Sequence, residues 1–236
     1  MQQYYALFSG GLDSTQAILK VMSGKKPVRI TPLFFRYGQK SEEKEHEAVQ
    51  KLVPLMRNCR DNDSSILDDC KEYDLTNLFS WSKSPILKHN IGNENNPDVD
   101  VENRNMILIG CAASIIMSEW KIVGRKNRAK LIVGFKNEHY DTKLKFANSI
   151  SEVFSNMDKP ISIVTPLIIE NQERQSSYHR LAKDAQKLGI FELLKQSWSC
   201  YYPKKGSVCK ECSACKGRNA FLNELEIRIK MKDNRI

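Results

Sequence analysis

Residues 9–14 read Ser9-Gly10-Gly11-Leu12-Asp13-Ser14, and they concentrate the features of an anion-binding turn. An apolar run over residues 4–8 precedes them and predicts a buried strand. Residues 14–22 follow with Ala17, Ile18 and Val21 at helical spacing. A turn between strand and helix aims successive backbone N–H groups, and the positive end of the helix dipole, at whatever sits above it. The two glycines permit a tight bend and a close approach to a phosphate. Ser9 and Ser14 add hydroxyl donors. Asp13 alone would repel phosphate, so it reads as a cap for the helix or as a partner of a magnesium ion. A Gly-Gly turn before a helix is common, but this one stands at the end of the first strand, where open α/β sheets bind ligands. The candidate nucleotide-binding set is Phe8, Ser9, Gly10, Gly11, Leu12, Asp13, Ser14, Thr15, Gln16, Ala17 and Ile18, with Asp13 and Ser14 as candidate catalytic residues. No lysine follows the glycines, so this is not the loop of P-loop kinases.

A second pattern is Cys200-x8-Cys209-x2-Cys212-x2-Cys215. Four thiolates complete a tetrahedral zinc shell with no open position, the signature of a structural rather than catalytic metal. Cys59, Cys70 and Cys111 are scattered and read as ordinary residues, with Cys111 inside a helix core.

The intervening chain alternates strand and helix. Residues 28–35 predict a second strand, 41–55 a helix, 105–120 a strong helix, 131–135 a strand, 143–154 a helix and 161–164 a strand. Residues 173–188 predict a helix stopped by Gly189. This grammar predicts an α/β fold, a doubly wound parallel sheet of about five strands, with a zinc-binding knuckle at the C-terminal end (residues 198–221) of a single domain, 1–236. Residues 80–102 are rich in Ser, Asn, Pro, Lys and Asp without periodicity, and read as a functional lid or a disordered segment.

The composition suits such a domain: 236 residues, 41% hydrophobic and 28% charged. The longest apolar stretch, near residues 106–117, is too short to span a bilayer. No basic region leads into an apolar run at the N-terminus, so no signal peptide and a cytoplasmic location are expected. The net charge of +9 concentrates in residues 121–147, where Lys121, Arg125, Lys126, Arg128, Lys130, Lys136, Lys143 and Lys145 face only Glu138 and Asp141. That favours polyanions such as ATP or nucleic acid. A solvated basic face is the plainer account of it, and no aromatic-interleaved basic motif supports a nucleic-acid partner.

Residues 9–14 resemble the signature of the PP-loop ATP pyrophosphatase superfamily. Its members cleave ATP between the α and β phosphates, adenylate a substrate oxygen, release pyrophosphate and displace AMP with a nucleophile. Further stretches narrow the resemblance to the 7-cyano-7-deazaguanine synthase family: Ser197-Trp198-Ser199-Cys200-Tyr201, the cysteine cluster, Arg218-Asn219-Ala220-Phe221, Tyr37-Gly38-Gln39, Arg104-Asn105 and Thr165-Pro166-Leu167. They run in order from Phe8 to Phe221. The resemblance adds Tyr37, Gly38 and Gln39 to the cofactor-binding set. It also points to Arg104, whose fork at a helix start would grip a phosphate or carboxylate, as a third candidate catalytic residue. The zinc ligands are Cys200, Cys209, Cys212 and Cys215.

The resemblance implies an ATP- and Mg²⁺-dependent ligase of queuosine biosynthesis that turns a 7-carboxy-7-deazaguanine carboxylate into an amide and then a nitrile with ammonia. A homodimer is implied as well. Three places depart from the family. Arg36 stands where an acid precedes YGQ. Residues 138–143, Glu138-His139-Tyr140-Asp141-Thr142-Lys143, replace a Tyr-Pro-Asp-Cys-Arg stretch. Residues 170–173, Glu170-Asn171-Gln172-Glu173, replace a Lys–acid pair. A loop and knuckle that match, beside an acceptor pocket that does not, suggest a divergent paralogue. Such a relative would pass the activated carboxylate to another amine, on a protein acceptor for instance, as in relatives associated with antiviral defence. A tRNA-modifying PP-loop enzyme is a further alternative, though no cysteine pair outside the knuckle stands ready to carry sulfur.

Overall fold

The computed structural model describes residues 1–59, 64–90, 100–123, 129–136, 139–157, 161–168 and 178–233, without the side chains of 120–123, 232 and 233. In chain order come β1 (Gln2–Leu7), α1 (Leu12–Met22), β2 (Val28–Arg36), α2 (Glu42–Asn58), β3 (Ile66–Leu67) and β4 (Lys71–Asp74). There follow α3 (Arg104–Val123), β5 (Ala129–Ile132), α4 (Leu144–Ser155), β6 (Ile161–Val164), α5 (Tyr178–Lys187), α6 (Phe191–Lys195) and α7 (Ser213–Asp233). The strands form one sheet in the order β3-β2-β1-β5-β6. β4 pairs with β2 further along the edge that holds β3, and every pairing is parallel.

From β1 the chain steps outward through β2 to β3 and β4, then returns across the sheet to place β5 on the other side of β1. The order therefore reverses between β1 and β5, and such a switch point opens a crevice at the carboxyl ends of the two strands. Residues 9–14 follow β1 into that crevice, and residues 133–136 follow β5 into it.

Side-chain alternation along the strands divides the core between the two faces of the sheet. Ala6, Ile30 and Phe34 join Leu52, Met56, Leu181, Leu194 and Phe221 on one face. Tyr5, Leu33 and Phe35 join Ile109, Ile116 and Phe154 on the other. The buried runs of β1 and β2 show little polar interruption because helices cover both faces.

The elements differ from expectation mostly at their ends. α1 begins at Leu12 and α2 runs on to Asn58 through Pro54, whereas β5 stops at Ile132 rather than at residue 135. The stop at Gly189 holds: its φ of +64° is the left-handed turn a helix C-terminus favours. Of the helix expected over residues 173–188, only Tyr178–Lys187 is described, since residues 169–177 lie outside the described residues.

The segment expected to be a lid is packed where it is described. Phe79, Ile86, Leu87 and Val101 are buried against Cys200, Tyr202, Cys209 and Cys215. Lys40 N donates to Ile86 O at 2.7 Å and Lys88 N to Gly38 O at 2.7 Å, while the Asn90 amide reaches Ser82 O at 2.9 Å and Ser84 O at 2.8 Å. Polar side chains close the segment's own backbone groups, which lets it order without helical or strand periodicity. Residues 91–99 lie outside the described residues, as do 124–128 of the basic stretch. Among the described residues no helix is long and apolar enough to cross a membrane.

Candidate functional site

The loop after β1 is held from three sides. Gly10 has φ +68°, and a Cβ there would lie 2.8 Å from Glu45 O and 3.0 Å from Val49 N, so α2 packs directly on the loop backbone. From the C-terminal segment, Trp198 N donates to Gly10 O at 2.9 Å. From the segment just after β5, Gly134 comes so close that a Cβ on it would lie 3.0 Å from both Asp13 C and Ser14 N. These contacts fix the start of α1, whose N-cap is Gly11 in extended conformation. Gly11 N donates to Ser9 Oγ at 3.3 Å, and the Thr15 hydroxyl donates to Gly11 O at 2.7 Å. The Ser9 and Ser14 oxygens stand 3.3 Å apart.

Asp13 is therefore not the helix cap. It lies inside the first turn, with Oδ2 at 3.2 Å from Lys136 Nζ. A valine at position 134 has nowhere to put its branches. Gly134→Val is expected to displace the loop, to destabilise the fold by about 1–3 kcal/mol as overpacking does, and to abolish nucleotide binding. A denaturation midpoint and an ATP titration check this, and wild-type affinity in the variant would show that the loop does not depend on this approach.

Two cavities meet above the loop. One, of about 310 Å³, lies between the loop and the cysteine knuckle and is lined by Ser9, Gly11, Leu12, Asp13, Ser14, Trp198, Ser199 and Arg218 among others. The other, of about 340 Å³, lies over the strand ends, with Phe8, Leu33, Phe35, Tyr37, Arg104, Asn105 and Thr142 in its wall. Glu45, Lys136, His139 and Tyr201 border both.

Of the residues expected at a nucleotide site, Phe8, Ser9, Gly11, Leu12, Asp13, Ser14, Tyr37 and Arg104 line a cavity. The others support from beneath. Thr15, Ala17 and Ile18 are fully buried, and Gln16 donates to Leu181 O at 2.7 Å. Gly10 supplies the bend. Gly38, with φ +79°, lets the chain turn so that Gln39 accepts from Tyr37 N at 2.9 Å and donates to Glu45 Oε2 at 2.9 Å.

Arg104 opens α3 with its guanidinium 6.0 Å from the centre of the Tyr37 ring. Burial acts to lower its pKa, but Tyr37, Tyr201 and Glu45 around it outweigh that and the net shift is upward, so its charge is permanent. Burial pushes the Tyr37 phenol up to about 12 despite Arg104. Burial also raises Glu45, against the hydrogen bonds it accepts from Ser41 and Gln39. The cavity over the strand ends thus holds a permanent Arg104 charge beside neutral aromatic hydroxyls, a setting that favours an anionic group next to it.

Arg36 turns elsewhere. It pairs with Glu42 at 3.3 Å and Glu72 at 3.1 Å and borders neither cavity. In the second departing stretch, Asn105 donates to Asp141 at 2.8 Å, and His139 and Thr142 reach the cavity wall. Glu138 and residues 170–173 lie outside the described residues.

The chain pattern does not single out Lys136 or Glu45 as site residues, and marks His139 only as part of the departing stretch 138–143. Lys136 counts there as part of a basic surface, yet its side chain is only 15% exposed. Its signal is its place two residues beyond a glycine at the end of a strand.

The four cysteines converge. Their Sγ atoms all lie within 4.8 Å of one another, with Cys209 and Cys215 at 3.9 Å. Zinc–sulfur bonds of about 2.3 Å in a tetrahedron place sulfurs about 3.8 Å apart, so the cluster fits zinc. Backbone N–H groups of Cys209, Cys212 and Cys215 point at the sulfurs of Cys200, Cys209 and Cys212 at 3.2, 3.4 and 3.4 Å, which favours thiolates.

Known proteins resemble this chain over most of its length. A 7-cyano-7-deazaguanine synthase of Methanocaldococcus jannaschii is 25% identical over 233 residues, covering 92% of this chain and 93% of the relative. One from Nitratiruptor is 26% identical, covering 90% of each. 7-Cyano-7-deazaguanine synthase 1 of Desulfitobacterium hafniense is 28% identical, covering 89% of this chain and 86% of its own. A solved 4-thiouridine synthetase–RNA complex with bound ATP superposes with a TM-score of 0.44 at 16% identity, and the chain spans 52% of that protein's length. The family profile described as queuosine biosynthesis protein QueC matches residues 4–226, and the chain belongs to that family.

Proposed function

We propose that this protein uses ATP to adenylate the carboxylate of a 7-carboxy-7-deazaguanine-type substrate and passes the acyl group to an amine. The observation that carries this is the pair of cavities that meet at Ser9, Asp13 and Ser14. Phosphates seat on the amides at the start of α1, and adenosine and acceptor occupy one cavity each. A carboxylate oxygen attacks the α-phosphorus, the bond to the bridging oxygen breaks, and pyrophosphate leaves with the electron pair. The amine then displaces AMP. Arg104 is suited to hold the acceptor carboxylate against the α-phosphate, where positioning is worth most. Asp13, which borders both cavities, is suited to hold a magnesium ion, which would supply charge neutralisation on the phosphates.

Conversion of an amide to a nitrile requires a second adenylation, on a neutral and weakly nucleophilic oxygen. The wall that would place that oxygen includes His139 and Thr142, in the stretch that departs from the family. The acid test is incubation with ATP, magnesium, ammonium and 7-carboxy-7-deazaguanine, read by pyrophosphate release and product mass. Pyrophosphate with accumulating amide or acyl-adenylate is expected. Efficient formation of 7-cyano-7-deazaguanine would show that the substituted wall still positions the amide, and no pyrophosphate would remove this substrate class.

A further inference from the structure

Residues 8–19 contain neither Lys nor Arg, so a triphosphate on this loop meets backbone amides and hydroxyls but no cation of the loop's own. Lys20, the next basic residue, pairs with Asp184 at 2.6 Å. Three Lys or Arg side chains border the cavities among the described residues. Arg218 spends its guanidinium on Lys195 O at 2.8 Å and Ser197 O at 3.2 Å. Arg104 lies against Tyr37 in the cavity over the strand ends. Lys136 alone of the three borders both cavities. Its ammonium stands 3.2 Å from Asp13, and Gly134, two residues earlier, is pressed against the backbone of Asp13 and Ser14.

We infer that Lys136 is the loop's phosphate-binding cation, contacting the β and γ phosphates of ATP and the pyrophosphate they become. The reasoning is electrostatic and geometric. The ammonium is anchored through a glycine contact that leaves no slack between β5 and the loop, so its reach is set by the side chain alone. A compact point charge with three donors suits a triphosphate, whose charge it meets without a fixed bidentate geometry. In the nucleotide-free protein Asp13 is a counter-ion for it, which offsets the cost of keeping a largely buried ammonium without phosphate. When the triphosphate arrives, Lys136 exchanges one anion for another within the same few ångströms. Asp13 is then released to other partners. When the bond between α-phosphorus and bridging oxygen breaks, the ammonium stands beside the group that gains negative charge.

This inference rests on the loop being an ATP site, and the experiment separates the two. Binding of the non-cleavable α,β-methylene analogue of ATP and of AMP is measured by calorimetry in the wild type, Lys136→Met and Lys136→Arg, with thermal midpoints alongside. Loss of one charge-assisted hydrogen bond is expected to weaken the triphosphate analogue about tenfold in Lys136→Met. AMP affinity should be unchanged, and Lys136→Arg should retain most of the triphosphate affinity. Equal affinity in wild type and Lys136→Met, or parallel weakening of AMP and analogue, would overturn the assignment and leave Lys136 as a positioning partner of Asp13. Wild-type protein that binds neither nucleotide would instead remove the ATP site itself, and this inference with it.

Discussion

Cys212→Ser is expected to strip the metal and to unfold the C-terminal segment. Cys212 sits half-buried at the turn into α7, and its sulfur accepts from Cys215 N at 3.4 Å. A serine hydroxyl is a poor zinc ligand beside a thiolate, and three remaining sulfurs leave a coordination position to water. Structural zinc binding is folding free energy, about 10–16 kcal/mol in small zinc peptides. Loss of even about 4 kcal/mol here would lower the thermal midpoint by roughly 10 °C at a chain of this size. The damage should spread, because the knuckle is the surface on which Phe79, Ile86 and Leu87 are buried. It also anchors the segment in which Trp198 N holds Gly10 O. Nucleotide binding should therefore weaken although no cysteine borders either cavity. Elemental analysis is the first check. About one zinc per wild-type chain and little in the variant is expected. Iron in the wild type, or undiminished zinc in Cys212→Ser, would refute the zinc site.

What the chain pattern reveals, and what it conceals, follows from how each feature is held. β1, β2 and α1 are legible because long apolar runs and helical spacing serve local structure and core at once. β3 and β4 are not, because two and four residues on an outer edge, most of them exposed, need no apolar alternation. The cysteine knuckle is legible because all four ligands fall within sixteen residues of one another at spacings that only a metal requires. Lys136 is hidden because its partner Asp13 lies more than a hundred residues away, and only the β1–β5 adjacency brings them together. The segment 80–90 misleads for a related reason. Its stability comes from side chain–backbone bonds and from the knuckle it packs on, neither of which leaves a period in the residues themselves. Arg36 shows the converse case. It reads as a departure at the site, yet in the fold its charge is taken up by Glu42 and Glu72 away from both cavities.

Asp13→Ala is expected to lower AMP and pyrophosphate formation by about a thousandfold, the upper range for loss of one group that stabilises transition-state charge, while the protein stays folded. The cost to stability should be small for three reasons. The helix cap is Gly11, so no cap is lost. The ion pair with Lys136 has its acid side chain 36% exposed, and pairs that are partly in water contribute little. An acid in a helix first turn is worth about 0.3–1 kcal/mol through the dipole. A matched control is the ion pair at the other end of the same helix, between Lys20 and Asp184 of α5. Asp184→Asn removes the partner of Lys20, 2.6 Å away, with comparable exposure and no access to either cavity. It should shift the thermal midpoint about as much as Asp13→Ala and leave catalysis intact. The comparison therefore isolates the contribution of position from the contribution of charge pairing. Equal activity in Asp13→Ala and wild type would remove Asp13 from the chemistry, and the ion pair with Lys136 would then be its whole role. The identity of the wild-type products carries the larger consequence. Amides at the start of α1 that seat a β,γ-pyrophosphate, with an acceptor oxygen beyond the α-phosphorus, lead to AMP and pyrophosphate. Release of ADP and phosphate by the wild type would place the attack at the γ-phosphorus and overturn the assignment of residues 9–14 as a pyrophosphate-binding loop.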